Sequence, residues 1–125
     1  MGGVSRPVEI DEVARHLAEF GDRALLVSVG DDQRPHVVTV VIEAVDVRLA
    51  TRVGGRTSAN VSARPGVTLT WPAPPGGEYV LLVDGTAELA GDPADGGGAV
   101  TIRAEHAILH RLAGLAEPGP SCVTL

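Results

Sequence analysis

Arginines recur through the stretch TRVGGRTSANVSARPG, Thr51 to Gly66, among Gly, Thr, Ser and Asn and with no acidic residue between them. Arginine makes charge-assisted, bidentate contacts with phosphate or carboxylate oxygens. Glycine lets backbone N–H groups approach a ligand closely, and hydroxyls add further donors. A helix beginning near Thr57 would contribute unpaired N–H groups and the positive end of its dipole. Arg52, Arg56, Thr57 and Ser58 therefore match a phosphate monoester or diester. The same residues also make an ordinary helix start with solvated arginines. The residues by themselves leave both readings open.

Other chemistry is weaker. His106 and His110 are spaced i, i+4 and would share one face of a helix, but zinc needs further ligands. The spacing reads HAILH rather than H-E-x-x-H. His36 opens a strand, where a histidine more often caps or packs. Cys122 is the only cysteine. It has no neighbouring activator in the sequence and reads as a structural thiol. No G-x-S-x-G nucleophile elbow occurs. GGRTS echoes the end of a phosphate-binding loop, but Ala50 stands at the required upstream glycine and Arg56 at the lysine.

Charge sharpens the first reading. The chain has formal net charge -6, yet Val47 to Gly77 contains no acid and carries Arg48, Arg52, Arg56 and Arg64. A small anion is favoured at one place, and nucleic acid is disfavoured overall. Every basic residue is arginine, so a lysine Schiff base is excluded. Phe20, Trp71 and Tyr79 are the only aromatics, so Val, Leu, Ile and Ala must build the core. The 125 residues make one domain, 1–125, able to bury a core without staples. A single cysteine fits a reducing cytoplasm. With no signal-length or membrane-length apolar run, the expectation is a cytoplasmic protein without a membrane span.

The elements that must position these groups follow from periodicity. VEIDEVARHLAEF, residues 8–20, predicts a helix with Val13, Leu17 and Phe20 on one face, stopped by Gly21. RALLVSVG and HVVTVVIE flank a DDQRP turn and predict an antiparallel hairpin. DVRLAT adds a third strand, which the short links place in a meander. Thr57 to Ala63 predicts a short helix ended by Pro65. GVTLTW and EYVLLVDGTAELAG predict two more strands, the second with a bulge or bend at Gly85. Residues 99–115 predict a late helix with Ala104, Ile108, Leu112 and Leu115 on one face. SCVTL predicts a last strand. The sum is a mainly β antiparallel sheet of five or six strands with flanking helices, closed into a small barrel.

Three segments, in order, resemble the pyridoxamine-5'-phosphate-oxidase-like split β-barrels. ALLVSVGDDQRPHVVTVV resembles that family's first hairpin, GRTSANVSARPGVTL its arginine–threonine helix motif, and YVLLVDGTAEL its glycine-bearing long strand. The resemblance implies a six-stranded antiparallel split barrel that binds FMN, or alternatively the deazaflavin F-420. It places Arg56 and Thr57 at the flavin phosphate and Asn60 on the helix position that follows. It sets Thr51 and Arg52 beside the phosphate and ribityl chain, and Val38, Thr39 and Val40 along the ring. Family members are usually homodimers, so Trp71 or Tyr79 is expected to reach a partner's cofactor. Many F-420 users carry lysine where this chain has Thr57, which leaves Arg56 and Arg52 to supply positive charge.

The expected function is thus an oxidoreductase passing hydride from FMN, or F-420, to a small organic substrate. No acid–base side chain is singled out as catalytic, because the cofactor carries that chemistry. A non-catalytic cofactor carrier or sensor, and a cofactor-free dimer of the same fold, are the competing readings.

Overall fold

The computed structural model describes residues 5–115. Strand β1 (Ser5–Val8) leads through a 3-10 turn at Ile10–Glu12 into helix α1 (Val13–Phe20). Then come β2 (Arg23–Val29), β3 (Pro35–Val41), β4 (Glu43–Val45) and β5 (Arg48–Gly54). Helix α2 (Gly55–Ala63) precedes β6 (Gly66–Trp71) and β7 (Tyr79–Leu89). A second 3-10 turn at Pro93–Asp95 leads into β8 (Gly97–Arg111). The first helix is shorter than residues 8–20 because Val8 ends β1 and Ile10–Glu12 form the 3-10 turn.

Every strand pairing is antiparallel. The order is β3-β2-β6-β7-β8-β5-β4, with β1 also on β8. The fold is therefore mainly β with flanking helices, as expected, but there are two helices rather than three and the sheet holds eight strands. The meander is corrected. After the β2–β3 hairpin, β5 does not continue the ladder but crosses to pair with β8, from Arg48↔Arg103 to Gly54↔Gly97. The two ends of the curled sheet still meet, since the Thr51 hydroxyl donates to the Val41 carbonyl at 2.7 Å. Between them lies a split rather than a continuous ladder.

The late helix is also corrected: residues 97–111 form the longest strand. Val100, Ile102 and Ala104 are buried in alternation, but the next buried residue is Ala107. The phase slips where Asp84 pairs with His106 and Gly85 with Ala104, leaving Glu105 as the extra residue of a bulge. The expected face of Ala104, Ile108, Leu112 and Leu115 does not form: Ala104 and Ala107 turn inward, Ile108 lies on the other side of the strand, and Leu112 and Leu115 lie beyond it. Glu105 stands on the outer surface, where Thr86 at 2.8 Å and Arg103 at 3.0 Å donate to its carboxylate. These bonds, Thr86's first, hold its carboxyl below the usual range. The SCVTL segment and Cys122 lie outside the described residues.

Gly85 sits at the bulge, as expected, for a steric reason. A Cβ there would lie 2.5 Å from the Arg103 carbonyl oxygen and 3.0 Å from Ile102 Cγ2. Gly85→Ala is expected to cost about 1–3 kcal/mol by overpacking, read as a lower denaturant midpoint. An unchanged midpoint would show that the bulge absorbs a methyl group.

The core lies inside the curl. Leu26, Leu69, Trp71, Leu81, Val83 and Ile102 are fully buried there. Helix α2 adds Val61 together with buried Thr57, Ser58 and Asn60. The Asn60 amide donates to buried Ser28 Oγ at 3.1 Å, which ties α2 to β2.

Candidate functional site

The split between β3 and β5 gathers most of the residues singled out from the sequence. A groove of about 870 Å³ runs between them, lined by Thr39, Val40, Val41 and Ile42 on one side and Ala50, Thr51 and Arg52 on the other. It meets a second groove of about 310 Å³ that reaches the start of α2. Thr39, Val40 and Arg52 line both. Val38, Arg56 and Thr57 line the second, with the glycine pair Gly54 and Gly55.

The local chain explains this placement. On β5, Leu49 and Thr51 turn inward and are buried, so Arg48 and Arg52 turn outward by the two-residue period of a strand. Gly54 then caps α2 with no side chain to bond the first-turn N–H groups. Arg56 sits in that first turn. Thr57 is almost wholly buried, and it too borders the groove.

Electrostatics separates the four arginines of the acid-free span. The Arg64 guanidinium donates to the Val29 carbonyl at 2.8 Å and to Asp31 at 2.7 Å, so it fastens the end of α2 to the β2–β3 turn. Arg52 and Arg56 make no ion pair among the described residues. Arg48 lines none of the grooves beside the split. Two arginines without acid partners thus converge where the helix begins. Asp22 and Glu43 lie at the other end of the wide groove.

Some expectations change. Trp71 is fully buried, with its indole N–H donated to the Gly21 carbonyl at 3.1 Å. It has no surface left to offer a cofactor, so its assignment to the site is corrected. Tyr79 pairs with Arg111 at the end of the β7–β8 ladder remote from Arg52, whose partner on β8 is Ala99. Arg6 stacks over its ring at 4.8 Å. Thr51 borders the wide groove, but its hydroxyl proton is engaged in holding β5 to β3. Asn60 is likewise engaged with Ser28, while its residue borders a third groove beside Arg56. His106 and His110 sit on a strand and turn to separate partners, Asp84 at 3.6 Å and Ser5 at 3.0 Å.

His36, read from the sequence as a capping or packing residue, also borders the split. His36 lines the small groove with Val38 and Val40, the positions two and four residues further along β3. The alternation of PHVVTVV carries that signal, since His36, Val38 and Val40 share a face.

No protein-family model matches the chain. An uncharacterized protein of Mycobacterium bovis is 36% identical over 124 residues, covering 86% of this chain and 82% of its own. A Mycobacterium tuberculosis counterpart, also uncharacterized, shows the same figures. Among solved structures, a Clostridium acetobutylicum protein of the pyridoxinephosphate oxidase family, related to general stress protein 26, aligns at TM-score 0.65. It is 12% identical and covers 83% of this chain and 91% of its own. A FAD-binding protein of Mesorhizobium loti aligns at 0.64, with 18% identity and coverage of 89% and 100%. An F-420 reductase aligns at 0.62, with 19% identity and coverage of 77% and 96%. The fold also serves haem: a heme binding protein of Mycobacterium smegmatis aligns at 0.62, with 15% identity and coverage of 82% and 53%. The chain belongs to the family of these mycobacterial proteins and folds as a pyridoxamine-5'-phosphate-oxidase-like split β-barrel.

Proposed function

We propose that the split binds a flavin-type cofactor by its phosphate, FMN in the first place, and that the protein is an oxidoreductase acting on a small organic substrate. The observation that carries this reading is the convergence of Arg52 and Arg56, both without acid partners, on the uncapped start of α2 beside a wide groove. The residues fit the group. Arg52, Arg56 and the first-turn N–H groups would hold the phosphate, with Thr57 beneath. Val40, Ile42 and Ala50 give the adjoining groove an apolar wall suited to a planar ring. When bound, the flavin supplies the hydride-transfer chemistry. The chain's part is to seat the phosphate, orient the ring against β3 and exclude water.

F-420 would use the same arginines. The chain's Thr57, where many F-420 users have lysine, favours FMN between the two. Haem requires an axial ligand, and among the described residues His36 is the one imidazole bordering the split. The outer surface of β3 and of the β4–β5 hairpin exposes Val37, Val41, Val45 and Val47, each about half or more exposed. That surface supports a homodimer, checked by sedimentation of the full chain at several concentrations: a monomer throughout would refute it.

The deciding experiment is a visible spectrum of the purified chain, followed by titration with FMN and then F-420. Binding of FMN on the order of tens of micromolar or tighter is the expected result. Absence of binding by either cofactor would overturn the reading. Turnover of the reduced cofactor by the loaded protein then separates an enzyme from a carrier.

A further inference from the structure

His36 borders both grooves that meet at the start of α2. It lines the small one with Arg52 and Arg56, and it lines a groove of about 690 Å³ between the β2–β3 turn and α2 with Arg34 and Arg56. Of the four histidines, His16 lies 6.4 Å from the Phe20 ring, and His106 and His110 face Asp84 and Ser5. His36, partly buried, has no hydrogen bond or ion pair among the described residues. Three side chains able to donate, none with an acceptor of its own, thus border one small groove: His36, Arg52 and Arg56.

The charged groups facing His36 come from three elements. Asp31, Asp32 and Arg34 lie on the β2–β3 turn, Arg52 on β5 and Arg56 on α2. Asp31 is taken by Arg64 at 2.7 Å, and Asp32 accepts the Arg34 backbone N–H at 3.0 Å. The partner of His36 on β2 is uncharged Ser28. An arginine keeps its charge at every physiological pH, whereas histidine changes charge between about pH 5 and 8. A phosphate within reach of the ring attracts a proton to it, and by linkage a proton on the ring tightens the phosphate.

We propose that His36 completes the phosphate seat as its one titratable donor, so that the protein holds a phosphorylated cofactor more tightly as the pH falls. The proposal rests on the reading of the split as a cofactor site. Below about pH 6 the phosphate monoester takes up its own second proton, which limits the gain.

Titration of FMN and riboflavin into the full chain at about pH 6 and about pH 8.5, either side of the range in which histidine changes charge, tests it. Wild-type affinity for FMN is expected to fall by about threefold to tenfold from the lower pH to the higher, between a screened surface pair and a hydrogen bond to a charged group. Riboflavin should bind alike at both. In His36→Gln the fall disappears, and the ratio of wild type to variant cancels the phosphate's own titration. His36→Lys, charged throughout this range, should hold FMN at the higher pH more tightly than His36→Gln does. A ratio that stays constant between the two pH values overturns the proposal, and so does a His36→Lys no better than His36→Gln. Equal losses of FMN and riboflavin in His36→Gln would make His36 a residue that only shapes the groove, which also overturns it. If FMN binds and these differences fail, only the role of His36 falls. If neither flavin binds at either pH, the cofactor reading of the split falls with it.

Discussion

Replacing Trp71 with alanine is expected to lower the unfolding free energy by about 3–5 kcal/mol, the range for deleting a large buried aromatic. Trp71 closes β6 with no exposed surface and packs in the cluster that includes Leu69 and Leu81. Its removal leaves a cavity that rigid strands cannot collapse into. It also orphans the Gly21 carbonyl, which accepts the indole N–H at 3.1 Å and lies at the end of α1. A domain of this size has roughly 5–15 kcal/mol in total, so the variant keeps little margin. Trp71→Phe retains much of the volume and loses the bond, and is expected to cost less. Because Trp71 is the only tryptophan, circular dichroism rather than indole fluorescence must follow the denaturant titration. A loss below about 1 kcal/mol for Trp71→Ala would contradict a fully packed site.

The second large effect concerns ligand affinity. Arg56→Ala is expected to reduce FMN affinity by about tenfold to a hundredfold, from the 1.5–3 kcal/mol of a hydrogen bond to a charged group. The lower end applies if salt screens the exposed guanidinium. Arg52→Ala is expected to act in the same direction. Riboflavin, which lacks the phosphate, should bind the wild type and Arg56→Ala alike. Calorimetric titration at two salt concentrations checks both claims, since the arginine contribution should shrink as salt rises. Equal losses for FMN and riboflavin would mean that Arg56 acts through the shape of α2 and not through charge.

Much of the architecture could be read where alternation runs undisturbed. GVTLTW puts Val67, Leu69 and Trp71 on one face in steps of two and buries them, while the apolar runs of RALLVSV and YVLLVDGTAEL are strands that bury every second residue. The late strand could not, because the bulge at Glu105 interrupts its period of two midway. The crossing of β5 to β8 was equally hidden, because it joins residues about fifty apart and no local signal encodes it. For the site, Arg52, Arg56, Thr57 and the Val38–Val40 run converge as the segment order suggested, because the sheet curls its two ends together. Trp71 was placed at a partner's cofactor from the family's homodimer arrangement, but its phase decides the matter: Val67, Leu69 and Trp71 alternate onto the core face. His36, read as capping or packing, was kept from the site by the same neglect of phase on β3.

Strand β8 also sets when the molecule can form. It holds β7 along one edge and both β5 and β1 along the other, and Ser5 meets His110 across 105 residues of chain. Until this strand has left the ribosome, β1 has no partner, and β5 and β7 each have one open edge. A nascent chain stopped before Gly97 would present open strand edges, the usual templates for misassembly. Folding thus waits for β8 and carries a high contact order, which makes it slow.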